Sequence, residues 1–247
     1  MRRARVIMVL VLALTLLSPV TAPAGPVLDR ILKRGELVVG TSANQPPLTA
    51  KNKQGEVIGL DADLATLIAT AMGVKPRFET MPFAELLPAL EAGRVDIILS
   101  GMTVTPKRNM RAAFVGPYYI TGKGILTKDQ TVASFKNPAQ INSAEFTLVA
   151  LNGSTSQMFV EKLLLKARLI TTATVDEAVG QLIDGKVDAL VADFPTFALA
   201  AFRHLDKGLA VGAARFTFEP IGIGLPANDP LLVKLVQNFL SLLTGTW

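Results

Sequence analysis

The 247-residue chain has no cysteine and a single histidine. Without cysteine it forms no disulfide, carries no lipid on a cysteine and offers no thiol nucleophile. The lone His204 lies in the polar phrase FRHLDKG, residues 202–208, which reads as a solvated helix end. No Ser-His-Asp set and no metal-ligand cluster is visible, so no catalytic residue, metal or cofactor is expected. A long hydrophobic run is missing too. The apolar stretch at residues 6–17 is too short to span a bilayer. It follows Arg2, Arg3 and Arg5 and precedes Ala22-Pro23-Ala24, the pattern of a secretory leader cleaved after residue 24. Cleavage lowers the net charge from +5 to +2 and leaves 223 residues. That balance gives no reason to expect a nucleic-acid partner. A periplasmic, soluble protein is expected, with enough chain for two small domains.

What the chain does have is a repeated phrase. Residues 90–102 read LEAGRVDIILSGM and residues 182–194 read LIDGKVDALVADF, 92 residues apart. Each is a helix end, a glycine stop, a basic residue, Val-Asp and an apolar strand. Phe83, Leu86, Leu87 and Leu90 fall at helical spacing before Gly93. Residues 95–99 form a β-branched run suited to a parallel sheet. The spacing is too long for a solenoid and suits two α/β halves. Loops at the carboxyl ends of parallel strands bind ligands in such sheets. The first copy leads into Ser100, Gly101, Met102, Thr103 and Arg108, and the second ends at Asp193. If the two strand ends face each other, a fixed cation stands opposite a fixed anion, the arrangement a zwitterion needs.

Along the chain, residues 28–34 read as a helix closed by Gly35, and 36–40 as the first strand. Residues 51–56 read as a hairpin tip, and 62–72 as a helix with Asp61 as its N-cap. Asp96 and Asp188 hold equivalent places in the two copies, which points to a structural role. A strand at 146–151 turns at Asn152-Gly153 into a helix capped by Ser154 or Thr155, and such a helix start favours an anion. Residues 187–192 and 218–225 read as strands, and 229–243 as a helix returning to the first half.

The pieces LVVGT, KQGEVIGLDADLA, LLPALEAGRVDIILSGMTVTPKR, GPYY, NGSTS and DGKVDALVADF occur in one order over almost the whole mature chain. In this the chain resembles the family 3 extracellular solute-binding proteins, the polar amino acid binding components of ABC importers. The resemblance implies the type II periplasmic binding protein fold, two α/β lobes joined by two crossing strands. The expected division is a leader at 1–24, a first lobe from 25–120 and 219–247, and a second lobe from 121–218. It further implies a monomer, a membrane permease as partner, and a free amino acid bound between the lobes. The ligand carboxylate would meet Arg108, Thr103 and the helix start at Thr155. The ammonium would meet Asp193, Ser100 and the Thr103 hydroxyl.

Gln45 stands where the family carries an aromatic residue, and Phe83 is left as an apolar wall. Ser42 stands where binders of cationic amino acids carry an acid, so a neutral or polar side chain is expected. The phrases LDRIL and KARLI also resemble a cyclohexadienyl dehydratase on this fold. That enzyme type would need a glutamate where this chain has Gln157, which cannot transfer a proton at neutral pH. Members of the family continue past a phrase like that at 244–246 into one more helix. The resemblance therefore implies a first lobe less stable than the second.

Overall fold

The structure, a computed structural model, describes residues 25–245. The expected leader and the chain end at Thr246 and Trp247 lie outside the described residues. Helix α1 (Pro26–Arg34), strand β1 (Glu36–Thr41), the hairpin β2 (Ala50–Lys51) and β3 (Val57–Ile58), helix α2 (Leu60–Ala71) and strand β4 (Lys75–Thr80) open the chain. A 3-10 turn at Phe83–Glu85 leads into α3 (Leu86–Glu91), β5 (Ile97–Ile98), α4 (Pro106–Asn109) and β6 (Ala113–Thr121). Next come β7 (Lys123–Thr127), α5 (Gln130–Ala133), β8 (Thr147–Leu151), α6 (Thr155–Leu163), β9 (Arg168–Thr172) and α7 (Val175–Ile183). The chain continues through β10 (Ala189–Asp193), α8 (Phe194–Arg203), β11 (Ala210–Val211), β12 (Glu219–Leu225) and α9 (Pro230–Thr244).

Apart from the β2–β3 hairpin, the strands form two five-stranded sheets, ordered β4-β1-β5-β12-β6 and β11-β7-β10-β8-β9. In the first, β1 runs parallel to β4 and β5, while β12 runs antiparallel to β5 and β6. In the second, β8 runs parallel to β9 and β10, and β7 antiparallel to β10 and β11. This is the expected architecture of two α/β lobes. The chain passes from the first sheet to the second at Gly122 and returns through β12.

Strand β1 is buried on both faces, which explains its unbroken apolar run. Leu37 and Val39 pack with Ile31, Ile68, Leu232 and Val236, under α1, α2 and α9. Val38 faces the other way, into a cluster that runs through Leu86, Leu90 and Ile98 to Leu151, Leu182 and Leu190 of the second sheet. One apolar mass thus continues from lobe to lobe. A separate core of Ile125, Leu148, Val160 and Val191 closes the far face of the second sheet.

The repeated phrase does the same work twice. Gly93 and Gly185 take left-handed φ angles of 70° and 69° after α3 and α7. Asp96 then accepts the Val38 N–H at 2.8 Å, and Asp188 accepts the Thr147 N–H at 2.7 Å. Each aspartate thereby pins the start of its strand to a parallel neighbour. Asp96 also pairs with Arg30 and Arg34 of α1. Asp229 caps α9 through the Leu232 N–H and also accepts the Val27 and Leu28 N–H groups, fastening α1 to α9.

Two expectations change in detail, and one helix is new. The ladder expected over 95–99 is regular only at Ile97 and Ile98, flanked by single bonds from Asp96 N to Val38 O and from Leu99 N to Gly40 O. Asp61 is not an N-cap, because α2 starts at Leu60, two residues before the expected start at 62. Gly59 takes the cap position with φ 113°, and a Cβ there would sit 2.5 Å from the Leu48 carbonyl oxygen. Asp61 is thereby turned inward. Helix α8, directly after Asp193, is not anticipated from the sequence; it opens with Pro195 in its first turn.

Candidate functional site

The strand-end loops of the two sheets meet in a cleft lined by Gln45, Phe83, Gly101, Thr103, Lys123, Ser154, Thr155 and Asp193, among others. In the first lobe, the loop after β1 folds against the loop after β5. The Gln45 amide donates to the Ser100 carbonyl at 3.0 Å and to the Ser42 hydroxyl at 3.3 Å. The Ser100 hydroxyl accepts the Ser42 N–H at 2.9 Å and bonds the Ser42 hydroxyl at 3.0 Å. Ser100 is fully buried, so its side chain stands behind the cleft wall.

Gly101 holds the turn with φ 60°, a conformation glycine takes without strain. Its N–H donates to Asp61 at 2.7 Å, and the same carboxyl accepts the Tyr118 hydroxyl at 2.8 Å. Burial pushes the Asp61 carboxyl up from 3.8 to about 7, against the two hydrogen bonds, which favour its ionised form. An acid whose pKa rises on folding binds its proton more tightly in the folded state. Its stabilising contribution is full below the unfolded value and is lost as pH climbs from 3.8 to about 7. Denaturant unfolding across this window is expected to show a slope approaching about 1.4 kcal/mol per pH unit from this group. Asp61→Asn should flatten it, and parallel profiles for the two proteins would show that Asp61 stays ionised throughout.

Arg108 is reached from α4, whose N-cap Thr105 accepts the Arg108 N–H at 3.2 Å. The side chain runs back over the Phe83 ring, 5.5 Å from its centroid, and is buried. The guanidinium donates to the Thr103 carbonyl at 2.7 Å and, across the cleft, to the Gly153 carbonyl at 3.2 Å. Burial lowers its pKa to about 10, opposed by Glu219 and Asp193. It stays a cation at neutral pH, and among the described residues it makes no ion pair. Arg108 borders a neighbouring cavity of about 190 Å³, walled by Leu87, Met102 and Met158 and sharing Phe83 with the cleft.

The second lobe brings α6 to the cleft. Ser154 caps it by accepting the Gln157 N–H at 3.2 Å, so of the two candidates Ser154 is the cap and Thr155 the first helical residue. The Thr155 hydroxyl lies 3.2 Å from the Thr103 hydroxyl and donates to Glu219 at 3.1 Å. Gln157 accepts the Gly153 N–H and donates to Glu161.

Two residues at the cleft floor are not singled out by the sequence. Lys123 donates to Asp193 at 2.8 Å and lies 3.6 Å from Glu219, with only 1% of its side chain exposed. Asp193 is pushed up in pKa by burial and held down by Lys123. Glu219 also accepts the Thr217 hydroxyl at 2.7 Å. The available signal is a charge set at the start of an otherwise apolar strand, GKGILT in one crossing segment and EPIGIGL in the other. The structure brings Thr103, Thr155 and Asp193 to the cleft lining and sets Arg108 beside it, bonded to the Thr103 and Gly153 carbonyls. It places Gln45, Gly101, Phe83 and Ser154 on the wall, and adds Lys123 and Glu219. With direct bonds between the lobes, the cleft leaves about 20 Å³, room for about one water.

The profile for bacterial extracellular solute-binding proteins, family 3, matches residues 37–244. A cyclohexadienyl dehydratase of Pseudomonas aeruginosa is 30% identical over 166 residues, which span 67% of this chain and 62% of that enzyme. ABC transporter arginine-binding protein 1 of Escherichia coli is 26% identical over 202 residues, 79% of this chain and 80% of the relative. Among solved structures, the ancestral amino acid-binding protein AncCDT-1, a precursor of cyclohexadienyl dehydratase, is 34% identical. It superposes with a TM-score of 0.80 over 89% of this chain and 95% of its own.

Proposed function

Because the chain belongs to the bacterial extracellular solute-binding proteins of family 3, we propose that it serves an ABC importer as its periplasmic component, carrying a free L-amino acid with a neutral or polar side chain. The observation that carries this reading is the charge pattern of the cleft. Among the described residues Arg108 is a buried cation that forms no ion pair, and a guanidinium fork suits a planar carboxylate. At the floor, two carboxylates share one lysine, which leaves a single negative charge in excess. A zwitterion neutralises both ends at once. The ligand carboxylate meets Arg108 with Thr103 and the α6 start, and the ammonium meets Asp193 with the Thr103 hydroxyl. Ser100 contributes its carbonyl-held loop, since its hydroxyl is taken by Ser42.

Binding rather than turnover is favoured by Gln157, whose amide is committed to Gly153 and Glu161 and has no acidic proton to give. Export rests on the leader pattern, and no described helix is long and apolar enough to cross a membrane. The working state is a monomer docking on a permease. Calorimetry of the mature protein against the twenty amino acids, prephenate and arogenate tests the proposal. Affinity of about micromolar, roughly −8 kcal/mol, is expected for at least one uncharged amino acid. Turnover of prephenate or arogenate would replace this reading with the dehydratase one.

A space of about 20 Å³ cannot admit an amino acid, so the lobes must part first. We place the bending at residues 120–122 and 219–222, where Gly122 and Gly222 can absorb rotation. Small-angle scattering is expected to show a more compact particle with ligand than without. Identical profiles at saturation would mean that the cleft is rigid.

A further inference from the structure

We propose that Lys123 sets the charge class of the ligand by excluding amino acids with positively charged side chains; this rests on the zwitterion reading above. Lys123 is held at the cleft floor, 2.8 Å from Asp193 and 3.6 Å from Glu219. Glu219 is further engaged by the Thr155 and Thr217 hydroxyls. Asp193 gives one oxygen to Lys123 and has the other for one ammonium. Among the described residues Asp193 is the one acid that lines the open space of the cleft, Glu219 lying behind Lys123 and Thr155. On the first-lobe side, Ser42 and Gln45 present hydroxyl and amide groups that bond each other and Ser100.

With a zwitterion bound, three positive groups (Arg108, Lys123 and the ligand ammonium) balance three negative ones (Asp193, Glu219 and the ligand carboxylate). A cationic side chain adds a fourth positive charge with no acid to receive it. That charge must leave water for a closed space and lie within the field of Lys123. Selectivity of this kind comes from a repulsive group as much as from an attractive one. Removing Lys123 frees one unit of negative charge at the floor, which a cationic side chain can use.

The test is calorimetry of the full mature chain with L-glutamine, L-asparagine, L-serine, L-arginine and L-lysine, on the parent, Lys123→Gln and Lys123→Arg. The parent should bind at least one uncharged member about a hundredfold more tightly than arginine or lysine. Lys123→Gln should narrow that ratio by about tenfold or more, and Lys123→Arg should keep it, since it keeps the charge. Arginine or lysine binding to the parent as tightly as every uncharged member would overturn the exclusion while leaving the amino-acid reading intact. An unchanged ratio in folded Lys123→Gln would do the same. If that variant does not fold, the parent panel decides alone. No binding of any amino acid to the folded parent would instead remove the zwitterion reading, and the exclusion with it.

Discussion

Arg108→Ala is expected to weaken amino-acid binding about a thousandfold, from about micromolar to about millimolar. Leaving a buried carboxylate without its cation costs about 4 kcal/mol. The loss has two sources. Arg108 supplies the charge for the ligand carboxylate, and its bond to the Gly153 carbonyl is one of the few direct links between the lobes. Arg108→Lys separates charge from geometry. It keeps the cation but cannot hold Thr103, Gly153 and a carboxylate together, so a loss of about tenfold or more is expected. Calorimetry on both variants checks this. If Arg108→Ala binds like the parent while Arg108→Lys does not, the carboxylate site lies elsewhere and Arg108 acts on packing alone.

Asp193→Ala should lower affinity about a hundredfold and, unlike a residue used only for binding, should also lower stability. Its carboxylate is the nearer partner of Lys123, which is almost wholly buried. Breaking such a pair from one side costs about 3 kcal/mol. Asp193→Asn keeps an acceptor for Lys123 while removing the charge, so it should lose less stability than Asp193→Ala while losing affinity to a similar degree; Lys123 keeps Glu219 as an ion-pair partner in both. Melting curves and calorimetry on the two variants separate the two roles. Affinity within about threefold of the parent in Asp193→Ala would mean that the ammonium binds elsewhere.

The parts of this site that are legible in the sequence are those whose role is written locally. Leu-x-x-Gly-basic-Val-Asp before an apolar strand states a helix stop, a turn and a strand within a dozen residues, and its two copies mark both sides of the cleft. Arg108 and Thr155 are legible because each sits at a helix start after a polar loop. Lys123 and Glu219 are not, because their roles depend on partners far along the chain. Lys123 and Asp193 are 70 residues apart, and Thr155 and Glu219 are 64 apart. Asp61 misleads for a related reason. An aspartate beside Gly59 looks like a cap, and only the approach of Gly101 and Tyr118 shows that it faces inward. Ser100 has a hydroxyl at the right strand end, but Ser42 consumes it, and that contact comes from a loop 58 residues earlier. The helix after Asp193 escapes a sequence reading although Pro195 is a fitting first-turn residue.

The position of β12 bears on the order in which the molecule can assemble. All strands of the second sheet come from one uninterrupted span, residues 123–211, so that sheet can form from nearby chain. The first sheet cannot. Its order puts β12 between β5 and β6, so β6 lacks a neighbour until residues beyond 218 arrive and insert. Closing so long a loop makes this a late and slow event relative to local pairing. A protease cut after residue 218, with loss of the released C-terminal piece, would spare every ladder of the second sheet while leaving β6 unpaired and β5 bonded on one edge only.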